Sequence, residues 1–241
     1  MSPVDNPHRI IAAALRTLHR KGWDEPTRRY AEDAWAGHEL AAGDASGAVD
    51  ALVAVSSEVS PTASRDRWQQ YLEPISNLLG ADHPDTLITR NNLARWRGEA
   101  GDAAGAAAAF AELLPIRERV LGPEHPDTLT TRSNLAYCRG RAGDAAGAAA
   151  AFAELLPIQE RVLGPEHPDT LTTRHELAYW RGEAGDAAGA AAAFAELLPI
   201  RERVLGPEHP DTLIARHNLA YCRGRAGDAA GAAAAFAELL P

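Results

Sequence analysis

Apolar residues never alternate with period two along this chain. They recur at three- and four-residue spacing, which predicts helices and no sheet. Beyond Leu79 the pattern itself repeats, with copies opening at Leu79, Leu121, Leu163 and Leu205, 42 residues apart (121 − 79 = 42). The second and third copies differ only at Ser133/His175, Asn134/Glu176, Cys138/Trp180, Arg141/Glu183 and Gln159/Arg201. A unit of this length in tandem predicts a solenoid, in which each unit buries its apolar face against its neighbours.

One unit reads as two helices. In the copy from Leu163 to Val204, Gly164 to Asp169 form a turn and Pro168 fits the first helical position, where a missing N–H costs nothing. Asp169 then lies in the first turn, where the helix dipole favours a carboxylate. The first helix is predicted over Pro168–Glu183, a break at Gly185-Asp186, and an alanine-rich second helix over Ala187–Val204. Pro115, Pro157 and Pro199 fall inside the second helix, at a cost of ~3 kcal/mol in a regular helix. Either each proline kinks the helix or the helix ends there and a short one follows.

Ahead of the array, Gly43-Asp44-Ala45-Ser46-Gly47-Ala48 echoes Gly101-Asp102-Ala103-Ala104-Gly105-Ala106. Helices are expected at about 7–21, 25–42, 45–55 and 65–79, with Ser57 to Ser64, including Pro61, as a loop. Residues 1–78 thus read as a helical N-terminal cap with a degenerate repeat, and 79–241 as four tandem repeats, the last truncated at Pro241. The expected fold is all-α: a right-handed α-solenoid of helix-turn-helix repeats behind that cap.

Composition adjusts this picture in three ways. The chain is 46% hydrophobic but only 6% aromatic, so its packing surfaces are alanine-lined. A net charge of −9 argues against nucleic acid as partner. Cys138 and Cys222 sit two repeats apart, beyond disulfide reach, which predicts free thiols in a reducing compartment. The polar opening carries no signal peptide or membrane span, so a cytoplasmic location with no membrane partner is expected.

The chemistry-bearing motifs are sparse. No Gly-rich phosphate loop and no nucleophile elbow occur, so neither an enzyme nor a cofactor is expected. His83, His125, His167 and His209 supply one imidazole per unit, too few for a tetrahedral metal site. Arginines stand on the same side of the first helix as Leu171, Leu177 and Ala178, which must face the partner helix: Arg90, Arg132, Arg174 and Arg216, then Arg97, Arg139, Arg181 and Arg223. They are expected to meet carboxylates of the Asp186 or Glu196 type.

Asn91-Asn92-Leu93-Ala94, the Gly-Asp break, Ala106 and Phe110, then Ile116-Arg-Glu-Arg-Val-Leu-Gly and His125-Pro-Asp-Thr resemble the tetratricopeptide repeat. The 42-residue period is similar to that of kinesin light chains. The wording of the unit also resembles arrays in actinobacterial signalling proteins, which often follow a nucleotide-switching module of the NB-ARC or STAND type. That resemblance implies a protein-interaction scaffold whose first helices line a concave groove for a peptide or protein segment.

Among the copies, the differing places fall on one side of the first helix and include the family's groove positions. They give Asn91, Ser133, His175 and His217; Arg95, Tyr137, Tyr179 and Tyr221; and Glu99, Arg141, Glu183 and Arg225. Two readings stay open, a partner groove or the drift that solvent-facing positions tolerate. Trp96/Cys138/Trp180/Cys222 and Glu99/Arg141/Glu183/Arg225 alternate strictly, implying duplication of an 84-residue pair with opposite charges facing each other on successive units. The runner-up function is structural: near-identical units with an uncapped trailing repeat could stack into homo-oligomers.

Overall fold

The computed structural model describes residues 6–56 and 60–237, and among them the secondary structure is entirely α-helical. The helices are α1 (Pro7–Lys21), α2 (Glu25–Ala41), α3 (Ala45–Ser56), α4 (Pro61–Leu79), α5 (Pro84–Glu99) and α6 (Ala103–Leu121). They continue as α7 (Pro126–Arg141), α8 (Ala145–Val162), α9 (Pro168–Glu183), α10 (Ala187–Val204), α11 (Pro210–Arg225) and α12 (Ala229–Ala237). Two compact units divide the chain, residues 1–116 and 117–241.

The second unit is a stack of helical hairpins, an α-solenoid architecture, and its start and stop signals are local. His125 precedes α7, and its Nδ1 accepts the Asp127 backbone N–H at 3.2 Å, while Pro126 holds the first turn. His167 and His209 do the same for α9 and α11. The helix then closes with paired backbone bonds, Asp144 N–H to Arg139 O at 3.1 Å and Gly143 N–H to Gly140 O at 2.9 Å. Gly143 supplies the positive φ of 104° that this closure requires. The Asp144 carboxylate next accepts Gly147 N–H at 2.8 Å and opens α8. One Gly-Asp pair therefore ends one helix and begins the next.

Alanines let the helices approach closely around large anchors. Phe152 and Phe194 are fully buried, the first with Leu129, Ala136, Ala148 and Leu155, the second with Leu171, Ala178, Ala190 and Leu197. Each hairpin thus contributes one phenyl ring to a chain of small cores. The helices α8 and α10 run unbroken through Pro157 and Pro199, as α6 does through Pro115, so the second helix does not end at its proline.

The arginine ladder corrects an expectation. Arg132, Arg174 and Arg216 pair with Glu118, Glu160 and Glu202 at 2.6, 2.5 and 2.6 Å, not with Glu196-type residues. The partner lies fourteen positions earlier, on the preceding second helix, because the long guanidinium arm reaches back across the hairpin connection. In the second row, Arg181 does meet Asp186, at 2.8 Å. Cys138 and Cys222 are both buried, and neither is in a disulfide.

The first unit packs α1 to α5 around Leu15, Trp35, Leu52, Trp68, Ile75 and Leu93. Glu39 is fully buried there, accepting Trp35 Nε1–H at 2.8 Å and Arg16 Nε–H at 2.7 Å. The helix α4 begins at Pro61, four residues earlier than expected. Ser60 caps it, and the proline that reads as a loop marker occupies the first turn, where its missing N–H is harmless. Ser64 is buried and donates to Ser56 O at 3.1 Å. Of the expected Ser57–Ser64 loop, residues 57–59 lie outside the described residues.

Candidate partner-binding surface

In the second unit, α7, α9 and α11 pack side by side, so positions 42 apart share a face. Tyr137, Tyr179 and Tyr221 form one row on it. Tyr179 is 36% and Tyr221 45% exposed, and Tyr137 is half-buried. Burial pushes the Tyr179 phenol up from its ordinary value. Glu183, Glu176 and the two neighbouring tyrosines push it the same way.

A buried tryptophan anchors this row. The Trp180 ring stands edge-on to Tyr179 at 4.9 Å and to Tyr137 at 6.2 Å. Its Nε1–H donates to Glu176 Oε2 at 3.0 Å. Burial raises the Glu176 carboxyl, and the indole bond and Arg201 act against that rise. Indole and carboxylate together limit the rotamers open to the tyrosines.

Charged residues flank the aromatic row. Arg141 lies 5.8 Å from the Tyr137 ring centre and Arg225 lies 5.6 Å from that of Tyr221. Arg225 Nη1 also meets Glu183 Oε1 at 2.7 Å across one repeat. The facing of opposite charges on successive units is therefore seen at this pair.

Ser133, His175 and His217 hold the same register and differ in surroundings. Ser133 is half-buried and His217 exposed, its ring 5.5 Å from Phe236. His175 is 9% exposed and does not face solvent. Its Nδ1 lies 3.0 Å from Arg201 Nη1, and a guanidinium only donates, so Nδ1 is the bare nitrogen. Nε2 lies 3.2 Å from Asn218 Nδ2. Since Nε2 then carries the proton, the bond forms with the amide turned so that its oxygen accepts. Burial first, and the Arg201 charge second, lower the imidazole to about 4, against a weaker upward pull from Asp211.

In the first unit, Asn91 is half-buried while Arg95 and Glu99 are exposed, with the Arg95 guanidinium 4.4 Å over the Trp96 ring. Trp180, Glu176, Asn218 and Arg201 were absent from the expected set. Their signal was present in the Trp/Cys and Gln/Arg differences among copies, but only packing shows that they lie beneath the exposed row. Among the described residues, no three metal-ligating side chains gather, and no helix is long and apolar enough to cross a membrane.

The tetratricopeptide repeat model matches residues 100–160, 133–203 and 182–241, more than half of the chain. The chain belongs to the tetratricopeptide repeat family. No protein with a curated description matches it in sequence. Among solved structures, this tetratricopeptide repeat protein is similar to BtubC (BKLC) from P. vanneervenii, with TM-score 0.70 and 18% identity over 96% of this chain and 89% of that one. It is also similar to a Podosopora anserina protein of kinesin-light-chain type with nearly identical TPR-like repeats, with TM-score 0.63 and 24% identity over 90% and 94%. A Rap protein complexed with competence and sporulation factor gives TM-score 0.52 and 12% identity over 93% and 77%. At these identities the likeness shows the fold.

Proposed function

We propose that this tetratricopeptide repeat protein is a protein-interaction scaffold, holding an extended peptide or protein segment against the first helices of its second unit. The observation that carries this reading is the row Tyr137, Tyr179 and Tyr221, aromatic surface left open and held from below by Trp180. Tyrosine gives large rigid contact area and a hydroxyl at low entropic cost. Arg141, Glu183 and Arg225 supply charges that set register along the segment, and Ser133 and His217 extend the same face. The corresponding Asn91, Arg95 and Glu99 offer a more polar face in the first unit. His175 serves from beneath, fixing α11 to α9 through Asn218.

The domain division follows the repeat, with residues 1–78 as cap and 79–241 as the array. In a larger parent protein such an array would act as the sensor or assembly region of a STAND-type nucleotide switch. The test is a photo-crosslinking residue placed at Tyr179, compared with one at Val162 on α8, in the source cell. A discrete adduct from Tyr179 only, lost when Tyr137 and Tyr221 become alanine, is expected. Equal labelling from both places would remove the assignment.

The second reading is self-association, which near-identical units that stack on one another would allow. Light scattering over a hundredfold concentration range decides it: a constant monomer mass removes it.

A further inference from the structure

Each arginine of the first ladder row in the second unit has a glutamate; Arg90 has none. Register shows why. Trp68 and Ile75 of α4 are fully buried at the places taken by Phe152 and Gln159 in α8, 84 positions on. By that register the residue in the place of Glu160 is Ser76, and among the described residues no carboxylate pairs with Arg90.

A cavity lies at this place in both units, and only that of the second unit carries the extra carboxylate. A space of about 330 Å3 opens beside Arg90 and Arg97, floored by Leu72, Leu93 and Leu113. Gln69 lines it too and accepts from Arg97 Nη2 at 3.0 Å. The corresponding cavity of about 320 Å3 in the second unit holds Arg174, Arg181, Glu160 and Glu196, two charges of each sign. In the first unit only Glu112 remains against Arg90 and Arg97, an excess of one positive charge.

We propose that this cavity is a binding site for one glutamate or aspartate side chain of a partner peptide, which takes the place that Glu160 fills in the sister cavity. The two arginines sit seven residues apart on α5, about 10 Å along its axis, and one of them is left to receive the carboxylate in a bidentate fork. The leucine floor accepts the methylenes next to it. The occupant is a side chain because in the sister cavity the equivalent arginine, Arg174, is met by one, Glu160. The site lies wholly in the first unit and stands or falls independently of the tyrosine row.

The test titrates acetyl-Leu-Glu-Leu-amide into the 15N-labelled full chain, reading the Gln69 side-chain amide and the Arg90 and Arg97 Nε–H resonances. Saturable shifts are expected, with no saturation by acetyl-Leu-Gln-Leu-amide. The Ser76→Glu variant, which restores an internal partner, should bind at least tenfold more weakly. Ser76→Gln, which fills similar space without charge, should bind more tightly than Ser76→Glu. Absence of saturation, equal binding of the glutamine peptide, or equal weakening by Ser76→Gln would overturn the proposal. Butyrate binding as tightly as the peptide would also overturn it, assigning the cavity to free small carboxylates.

Discussion

The Trp180 indole presses on the backbone of Gly140 so closely that a β-carbon there would stand 2.7 Å from three of its ring carbons. The equivalent glycines meet different neighbours. A β-carbon at Gly182 would find Ala190 Cβ at 3.2 Å and Cys222 Sγ at 3.5 Å, and one at Gly224 only Ala232 Cβ at 3.6 Å. All three lie inside helices, where alanine is better than glycine by about 1 kcal/mol. The same substitution should therefore change sign along the array. Gly224→Ala should stabilise by about 0.5–1 kcal/mol, and Gly182→Ala should be near neutral. Gly140→Ala should destabilise by about 1–2 kcal/mol, since overpacking costs more than propensity returns. Urea unfolding of the three variants checks the order. Equal effects would mean that Trp180 moves aside freely.

Those glycines also show what the sequence could and could not disclose. The boundaries of α9 and α10 fall at Pro168–Glu183 and Ala187–Val204 as expected, because Pro-Asp starts and Gly-Asp stops act within a few residues. The ladder partners were misread because Arg174 reaches Glu160 through three-dimensional proximity that no local pattern encodes. Ser133 and His175 share one register, yet Asn218 and Arg201 enclose the second where Glu176 and Gln159 hold the same places beside the first. Burial there is a property of the next repeat rather than of the residue. The tyrosine row was legible because copies of one unit could be compared with each other.

The buried His175 makes stability depend on pH in a definite direction. Its folded value near 4 lies below the ordinary 6.5, so between those values the unfolded chain binds more protons. The stabilisation is fully present above pH 6.5 and is lost as pH falls through 4. Protonation would set an imidazolium against the Arg201 guanidinium, with Glu176 and Asp211 the nearby carboxylates. The loss amounts to about 1–3 kcal/mol. In His175→Ser, which copies Ser133, this component should vanish. The difference in unfolding free energy between wild type and variant, measured from pH 7.5 to 4, isolates it from carboxylate titration. A difference that stays constant would rule out the buried neutral imidazole.

Gln159 occupies a buried place that arginine holds elsewhere. Arg117 donates to Asp127 O and Thr131 Oγ1, both at 2.8 Å, and Arg201 donates to Asp211 O at 2.7 Å. Around Gln159 the bonds are missing: its Oε1 and the Thr173 Oγ1 have no partner. Leaving a buried polar atom unpaired costs about 1–3 kcal/mol. Gln159→Arg should recover part of this by reaching Thr173 and the Asp169 carbonyl, less the cost of burying a guanidinium. A gain of about 1 kcal/mol is expected, measured by denaturant unfolding. Gln159→Met, which fills the space without donors, should give no gain from Thr173. If methionine stabilises as much as arginine, the benefit lies in removing the amide rather than in feeding the threonine.

Asp144 and Gly147 are coupled through one small space. The carboxylate accepts the Gly147 N–H at 2.8 Å and lies where a β-carbon on residue 147 would sit. Gly147→Ala should gain helix propensity of about 1 kcal/mol yet displace the cap, whose loss costs about as much. The single substitution is therefore expected near neutral, and Asp144→Ala alone destabilising. With the carboxylate removed, nothing opposes the β-carbon. Gly147→Ala in the Asp144→Ala background should then stabilise by about 1 kcal/mol, giving a coupling of about that size in a double-mutant cycle. Additive effects within about 0.3 kcal/mol would show that the cap tolerates a side chain at 147. The Gly at this place in every repeat would then need another cause.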